Sequence, residues 1–297
     1  MITKANFQKN SKNKSRENIF SILIPTWNNL EYLQLCIMSI KKNSHYSHQI
    51  IVFINEGADG TLEWIKEQDD IDYVYSEINV GVCYALNGCR DLVSTSYVLY
   101  INDDMYVCPD WDKYLYDEIN AIGHPYFFLS ATAIEPKASS VCAIEGSFGT
   151  DIHSFEEERL LNQYQDFQFN DWQGSTWPPN VVHISVWDLV GGYSVEFSPG
   201  MYSDPDFSMK LWNLGVRIFK GVSKSRVYHF GSKSVKRVKR NAGYYTFISK
   251  WGMPSSGLTS KILKRGQKYN GELKDIDFSL PSKIKFFWKR VITLFKI

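Results

Sequence analysis

The sequence predicts an α/β fold: a mostly parallel central sheet flanked by helices, in a single domain with a C-terminal helical extension. Three observations carry this expectation. Short apolar runs alternate with segments of helical periodicity through the first hundred residues. The runs lack the two-residue alternation of a half-exposed sheet, which marks strands buried on both faces. Each run ends in a polar cluster, and in a parallel sheet such clusters gather at one edge, where ligands bind.

Taken in order, residues 1–18 are polar and basic (Lys4, Lys9, Lys12, Lys14, Arg16) and have no apolar core. They are expected to be a disordered tail, neither signal peptide nor membrane anchor. Order is expected from Ile19, where Ile19-Phe20-Ser21-Ile22-Leu23-Ile24 predicts a first strand, stopped by Pro25. Leu30, Leu33, Ile37 and Ile40 recur at helical spacing, with Glu31 in the first turn where the helix dipole favours an acid. Ile50–Ile54 predicts a second strand, Leu62–Glu67 a helix, Tyr73–Tyr75 a third strand and Val80–Leu92 a third helix. Tyr97–Ile101 predicts a fourth strand that runs into Asn102-Asp103-Asp104.

Beyond about residue 145 the pattern is less regular. Asp171–Pro179, with two Trp, two Pro and a Gly, suggests a packed loop, and Gly191-Gly192-Tyr193 a turn. Asp204-Pro205 opens a helix, with Asp204 at the cap position and Pro205 at the first helical position, and Gly215 ends it. Strands are expected at Arg217–Phe219 and Arg226–Phe230, followed by a basic stretch (Lys233, Lys236, Arg237, Lys239, Arg240). In Ser282–Ile297, the residues Ile284, Trp288, Val291 and Phe295 share one helical stripe among Lys285, Lys289, Arg290 and Lys296. Such a basic amphipathic helix lies at a membrane interface or docks on its own domain.

Composition excludes several classes. The 297 residues are 44% hydrophobic and 22% charged, which marks a folded chain, and the net charge of +1 gives no reason to expect a nucleic-acid partner. No stretch reaches the ~18 apolar residues of a membrane span. The five cysteines are odd in number and show no CxxC spacing, as in reduced thiols of a cytoplasmic protein. Aromatics at 15% fill the core and supply flat faces for sugars and bases.

Two adjacent carboxylates at a strand end repel unless a cation or donors relieve them. Asp103-Asp104 alone reads most simply as a solvated turn; among four polar strand ends it becomes a candidate site for Mg²⁺ or Mn²⁺. Pro25-Thr26-Trp27-Asn28, Asn55-Glu56-Gly57-Ala58-Asp59-Gly60-Thr61, Asn79-Val80-Gly81 and Asn102-Asp103-Asp104, in this order and spacing, resemble the family 2 glycosyltransferases of GT-A fold. The resemblance continues through Gly191-Gly192-Tyr193 and Ser203-Asp204-Pro205-Asp206 to His229.

It implies a GT-A domain over 19–240, with a nucleotide-binding half at 19–105, an acceptor half at 106–240, and an extension over 241–297. It further implies an inverting transfer from a nucleoside-diphosphate sugar to a glycan or lipid-linked acceptor in surface polysaccharide synthesis. Pro25, Thr26, Trp27, Asn28, Asn55, Glu56, Asn79, Gly81, Asn102 and Asp103 fall on the nucleotide, with Trp27 stacking on the base. Asn55 or Ile54 stands where the family usually has an acid, which favours UDP or dTDP over GDP. Asp104 and His229 fall on the divalent metal. Asp204 falls on the general base, which takes the acceptor hydroxyl's proton, with Asp206 the substitute. Trp172, Trp177 and Tyr202 are expected at the acceptor. Lys233 and the basic residues after it read as a lid over the diphosphate, or equally, over Lys236–Arg240, as a solvated face or a contact with an anionic membrane. The expected location is cytoplasmic, with membrane contact through 282–297 as one reading of the tail. Alternatives are a nucleotidyltransferase, which lacks its glycine-rich loop here, and an inactive sugar- or nucleotide-binding protein, which Ser203 in place of the family's acid keeps open.

Overall fold

The computed structural model describes residues 7–12, 17–231, 241–293 and 295. Strands β1 (Gln8–Asn10), β2 (Phe20–Trp27), β3 (Gln49–Asn55), β4 (Ile71–Ser76) and β5 (Tyr97–Tyr100) alternate with helices α1 (Leu30–Asn43), α2 (Thr61–Lys66) and α3 (Gly81–Cys89). The second half adds β6 (Met105–Val107), α4 (Trp111–Ile122), β7 (Phe127–Glu135), β8 (Ile144–Glu145), α5 (Glu157–Gln163), β9 (Trp172–Gln173), β10 (Asn180–His183) and α6 (Ile184–Val190). Helix α7 (Ser203–Asn213), β11 (Ile218–His229), α8 (Gly243–Trp251) and α9 (Leu280–Thr293) follow.

All strands join one sheet in the order β1-β4-β3-β2-β5-β10-β7-β11-β6, with β8 beside β7 and β9 beside β11. The block β4-β3-β2-β5 is parallel, as expected, and β11 runs parallel to β7. Antiparallel β10 joins the two parallel groups.

The continuous apolar runs arise because both faces of this sheet are covered. Ile22, Ile24, Val52, Ile54 and Leu99 pack with Leu33, Ile37, Trp111 and Leu115 of α1 and α4. Their neighbours one residue away, Leu23, Ile51, Phe53 and Val98, pack with Leu86, Trp187, Phe207 and Phe247 on the opposite side. Period-two geometry thus sends alternate residues into two separate cores. Each fully buried side chain of this size contributes about 1.5–3 kcal/mol.

Four expectations change. The tail contains β1, which pairs antiparallel with β4, while Phe7 packs edge-on against Phe53 with ring centroids 5.2 Å apart. Lys12 donates to the carbonyls of Lys66 at 2.8 Å and Gln68 at 2.6 Å, satisfying the end of α2. Lys4, Lys14 and Arg16 lie outside the described residues, as do Lys233, Lys236, Arg237, Lys239, Arg240 and Lys296. The two strands expected at 217–230 are one, with a bulge between Val222 and Arg226. The extension belongs to the main core, where Phe247, Leu258, Ile262 and Leu263 are buried. Finally, α9 has a contact face toward α8: Lys289 donates to the Tyr244 hydroxyl at 3.2 Å, and Phe286 meets Phe278 edge-on. Leu280, Phe287, Ile292 and, from the expected stripe, Ile284 and Trp288 are exposed, while Val291 is half-buried. Among the described residues no helix is long and apolar enough to cross a membrane.

Candidate active site

The carboxyl ends of β2, β3 and β5 and the turn before α3 form one wall of a cavity of about 1,090 Å³. Its lining includes Pro25, Thr26, Trp27, Asn55, Asn79, Gly81, Asn102, Asp103 and Asp104 of the expected nucleotide and metal residues. Hydrogen bonds fix the strand ends to one another. Thr26 Oγ1 donates to Asp103 at 2.7 Å, and the Tyr100 hydroxyl donates to Asn102 at 2.7 Å. Asn55 donates to the Thr26 carbonyl at 3.1 Å and accepts from the Val80 amide at 2.9 Å. Its amide therefore braces the ends of β2 and β3 and the turn before α3, a use different from the base contact expected of it. Asn28 and Glu56 are not among the cavity-lining residues; Glu56 instead accepts from Trp27 Nε1 at 2.8 Å and from Asn28 at 3.1 Å.

Sheet register assembles the next cluster. β11 runs antiparallel to β6, which sets His229 opposite Met105 and beside Asp104. It runs parallel to β7, pairing Tyr228 with Ile134 and bringing Glu135 to the same end. His229 Nδ1 lies 2.8 Å from Glu135 Oε1, and its Nε2 lies 3.5 Å from Asp104 Oδ1. Burial opposes a charge on this imidazole, but hydrogen bonds to Asp104 and Glu135 push its pKa up to about 10. Glu135 is held below its ordinary value: burial raises it, and His229 with Ser139 more than offset that.

Asp204 lines the cavity from α7. The cap position falls to Tyr202, whose φ is 72°, and no side chain caps the helix. Asp204 sits within the first turn instead, so its carboxylate is not engaged as a cap. Burial pushes its pKa up to about 7, opposed in part by the Tyr193 hydroxyl. The Gly191-Gly192-Tyr193 turn delivers that hydroxyl. Asn87 clasps Tyr193 through its amide and carbonyl at 2.8 and 2.7 Å, and the Tyr193 ring stacks on Phe207 at 4.5 Å. Lys210 donates to the Gly192 carbonyl at 2.5 Å, which gives it a fold role.

Asp206 corrects an expectation. Its side chain is fully buried, accepts from Trp251 Nε1 at 2.8 Å and pairs with Lys250 at 2.9 Å. It does not line the cavity. Two residues, about 200° around the helix, separate the two acids: Asp204 lines the cavity, and Asp206 is a structural counter-ion for α8.

The glycosyl transferase family 2 model matches residues 21–140, the segment that carries the first four polar strand ends. This segment is a family 2 glycosyltransferase domain. The chain is 27% identical over 118 residues to the glycosyltransferase GlyA of Streptococcus pneumoniae, covering 36% of this chain and 17% of that protein. It is 26% identical over 90 residues to TuaG of Bacillus subtilis, named as a teichuronic acid biosynthesis glycosyltransferase, covering 29% of this chain and 36% of TuaG. Among solved structures, Staphylococcus aureus TarS in complex with UDP is similar with a TM-score of 0.57 at 14% identity, covering 94% of this chain and 72% of that one. GalNAc-T7 with UDP, GalNAc and Mn²⁺ is similar with a TM-score of 0.54 at 14% identity, covering 83% of this chain and 53% of that one. These likenesses bear out the GT-A fold.

Where β11 meets this segment, the residues present fit a hard divalent cation. Asp104 offers a carboxylate, His229 would offer Nε2 once the cation displaces its proton, and Glu135 on Nδ1 orients that ring as carboxylates do for metal-bound histidines. Among the described residues no group of three His, Cys, Asp or Glu is arranged to hold a metal unaided. Such a two-donor arrangement leaves coordination positions for phosphate oxygens. Glu135 escaped the sequence reading, although it ends the apolar run Phe127–Ile134 just as Asn102 ends Tyr97–Ile101. Of the expected acceptor residues, Trp177 and Tyr202 line the cavity with part of their surface open. Trp172 also lines it, but its ring packs against Gly221 and its indole donates to Thr132 at 2.9 Å. Lys233, the expected lid residue, lies outside the described residues.

Proposed function

We propose that the chain is an inverting glycosyltransferase that moves a sugar from a UDP- or dTDP-linked donor to a hydroxyl of a glycan or lipid-linked acceptor. One observation carries this reading: a single cavity joins the Asp104–His229 pair to Asp204, a carboxylate with a pKa of about 7. A base with that pKa accepts a proton efficiently near neutral pH. Asp204 takes the acceptor hydroxyl's proton as that oxygen attacks the anomeric carbon from the face opposite the diphosphate. Thr26, Trp27, Asn79, Asn102 and Asp103 hold the nucleotide at the strand ends. Asp104 and His229 would hold a Mn²⁺ or Mg²⁺ ion, which stabilises negative charge on the departing diphosphate. The UDP complexes of TarS and GalNAc-T7 support UDP as the nucleotide.

A role in surface polysaccharide synthesis draws on the name of TuaG. A cytoplasmic location draws on five buried free thiols. Contact of α9 with an anionic membrane draws on its exposed Leu280, Ile284, Phe287, Trp288 and Ile292 beside Lys283, Lys285 and Arg290.

Titration of the chain with UDP, dTDP and GDP, each with and without Mn²⁺, tests the donor site. The expected result is metal-dependent binding of UDP or dTDP that disappears in Asp104→Ala. An absence of nucleotide binding in the intact chain overturns the proposal.

A further inference from the structure

Facing the same cavity is a cation with no part in the transfer proposed above. Arg265 lines it, and the Arg265 guanidinium lies 3.5 Å from the centroid of the Trp177 ring. Among the described residues no carboxylate, carbonyl or hydroxyl bonds to that guanidinium. The contrast with Arg90, Arg159, Arg217 and Arg226 is sharp, because each of those donates to a carboxylate or a carbonyl. A guanidinium stays charged at any physiological pH, and a half-buried one without an anion carries a desolvation penalty. Burial does push its pKa below the ordinary value.

The position is fixed by main chain. The Gln173 amide donates to the Gln267 carbonyl at 2.8 Å, and the Gly266 amide to the Gln173 carbonyl at 2.9 Å. Gly174, at φ 89°, lets the backbones meet: a Cβ there would lie 2.6 Å from Arg265 Cα. The turn carrying Arg265 is therefore clamped onto β9, and the Trp177 ring, 37% exposed, holds the guanidinium plane. Ser255, Ser256 and Thr259 add hydroxyl-bearing side chains to the same lining.

We propose that Arg265 and Trp177 form a subsite for an anionic group, phosphate or carboxylate, carried by the acceptor sugar. This rests on the donor reading above, in which the charge of the diphosphate would be balanced by a divalent cation held at Asp104 and His229. β9, Trp177 and the 255–265 segment contribute to the lining of this cavity from elements other than the strand ends expected at the nucleotide. A planar guanidinium suits both anions because its paired N–H groups match two oxygens at once. Stacking on an indole leaves those N–H edges free while the ring face is occupied.

The test uses three sugars with one ring: glucose 6-phosphate, glucuronate and glucose, titrated into the full chain saturated with UDP and Mn²⁺. The expected result is that at least one anionic sugar binds about tenfold or more tightly than glucose. Arg265→Gln should erase that difference, and Arg265→Lys should keep part of it. Preference for the phosphate or the carboxylate names the source of the charge. Equal binding of all three sugars, no binding of any, or a preference that survives Arg265→Gln overturns the proposal. UDP titration of each variant reports the donor site separately. Should UDP itself not bind, the donor reading fails, and the Arg265→Gln comparison on the free chain still decides the subsite.

Discussion

Replacing Asp204 with Asn should raise the stability of the protein while abolishing its chemistry, and the size of the first effect should depend on pH. The folded carboxyl has a pKa of about 7 against an ordinary 3.8. At about 1.36 kcal/mol per pKa unit, ionising it inside the folded protein costs about 4 kcal/mol. The sign follows from linkage: a carboxyl whose folded pKa is raised binds its proton more tightly when native. Its contribution is therefore neutral below pH 3.8, turns against folding as pH rises from 3.8 to 7, and is fully unfavourable above 7. Asn carries no such charge at any pH. With an unfolding entropy of about 2.1 cal/mol/K per residue, 4 kcal/mol is about 6 °C in Tm for a chain of this length, an upper figure because the site is partly open to solvent.

Calorimetric Tm values for the parent and Asp204→Asn, taken at pH 5 and pH 8, provide the assay. The variant's advantage should be small at pH 5 and reach several degrees at pH 8. In parallel, kcat/KM of the parent should fall about tenfold per pH unit below 7, as the base becomes protonated. The variant should bind UDP with Mn²⁺ normally and transfer no sugar. A stability difference that is the same at both pH values refutes the assignment of the raised pKa, and surviving turnover refutes the base.

Asp206→Ala should behave in the opposite way, losing about 2 kcal/mol or more because Lys250 and Trp251 lose their buried partner; a neutral Tm change would refute the structural role. Glu135→Gln should lower Mn²⁺ affinity about 10–100-fold, read by electron paramagnetic resonance of free Mn²⁺, because His229 loses the carboxylate on Nδ1; unchanged affinity would remove Glu135 from the site. Gly81→Ala should destabilise by about 1–3 kcal/mol in urea unfolding, since its φ is 78° and a Cβ would lie 2.5 Å from Pro199 Cα. Sedimentation with anionic vesicles should drop about tenfold in the pair Phe287→Ser and Trp288→Ser if α9 meets a lipid surface; no binding by the parent chain would leave α9 as a docked helix alone.

The first four long strands were legible because burial on both faces demands continuous apolar runs, and their polar ends stood out against those runs. β1 was not, because its side chains are exposed and its pairing with β4 uses backbone groups that every residue carries. The two acids of Ser203-Asp204-Pro205-Asp206 could not be ranked from sequence for a related reason. What separates them is Lys250 and Trp251, more than forty residues away, which claim Asp206 and leave Asp204 to the cavity. Arg265 was equally silent, since an unpaired guanidinium is defined by the absence of partners that only the fold can bring or withhold.

The proposed base Asp204 and the strand ends are also coupled by hydrogen bonds. The Val82 amide donates to the Pro199 carbonyl at 2.9 Å, and Ser198 Oγ donates to the Val80 carbonyl at 2.7 Å. Asn241 holds the same loop by donating to the carbonyls of Phe197 and Ser198 at 2.7 and 3.1 Å. Asp204 begins four residues after this loop's Gly200, and Asn55 ties Val80 back to β2. A path of hydrogen bonds through Asn55, Val80, Ser198, Pro199 and Val82 therefore runs from the strand ends that would hold the nucleotide to the loop before the helix that carries Asp204. An inverting displacement needs attacking and leaving groups in line, and tolerates little drift between them. Gly81 is the hinge of this path: any side chain there would push the 198–200 loop away, and with it the start of α7. The glycine expected at the nucleotide thus also sets the position of the proposed base.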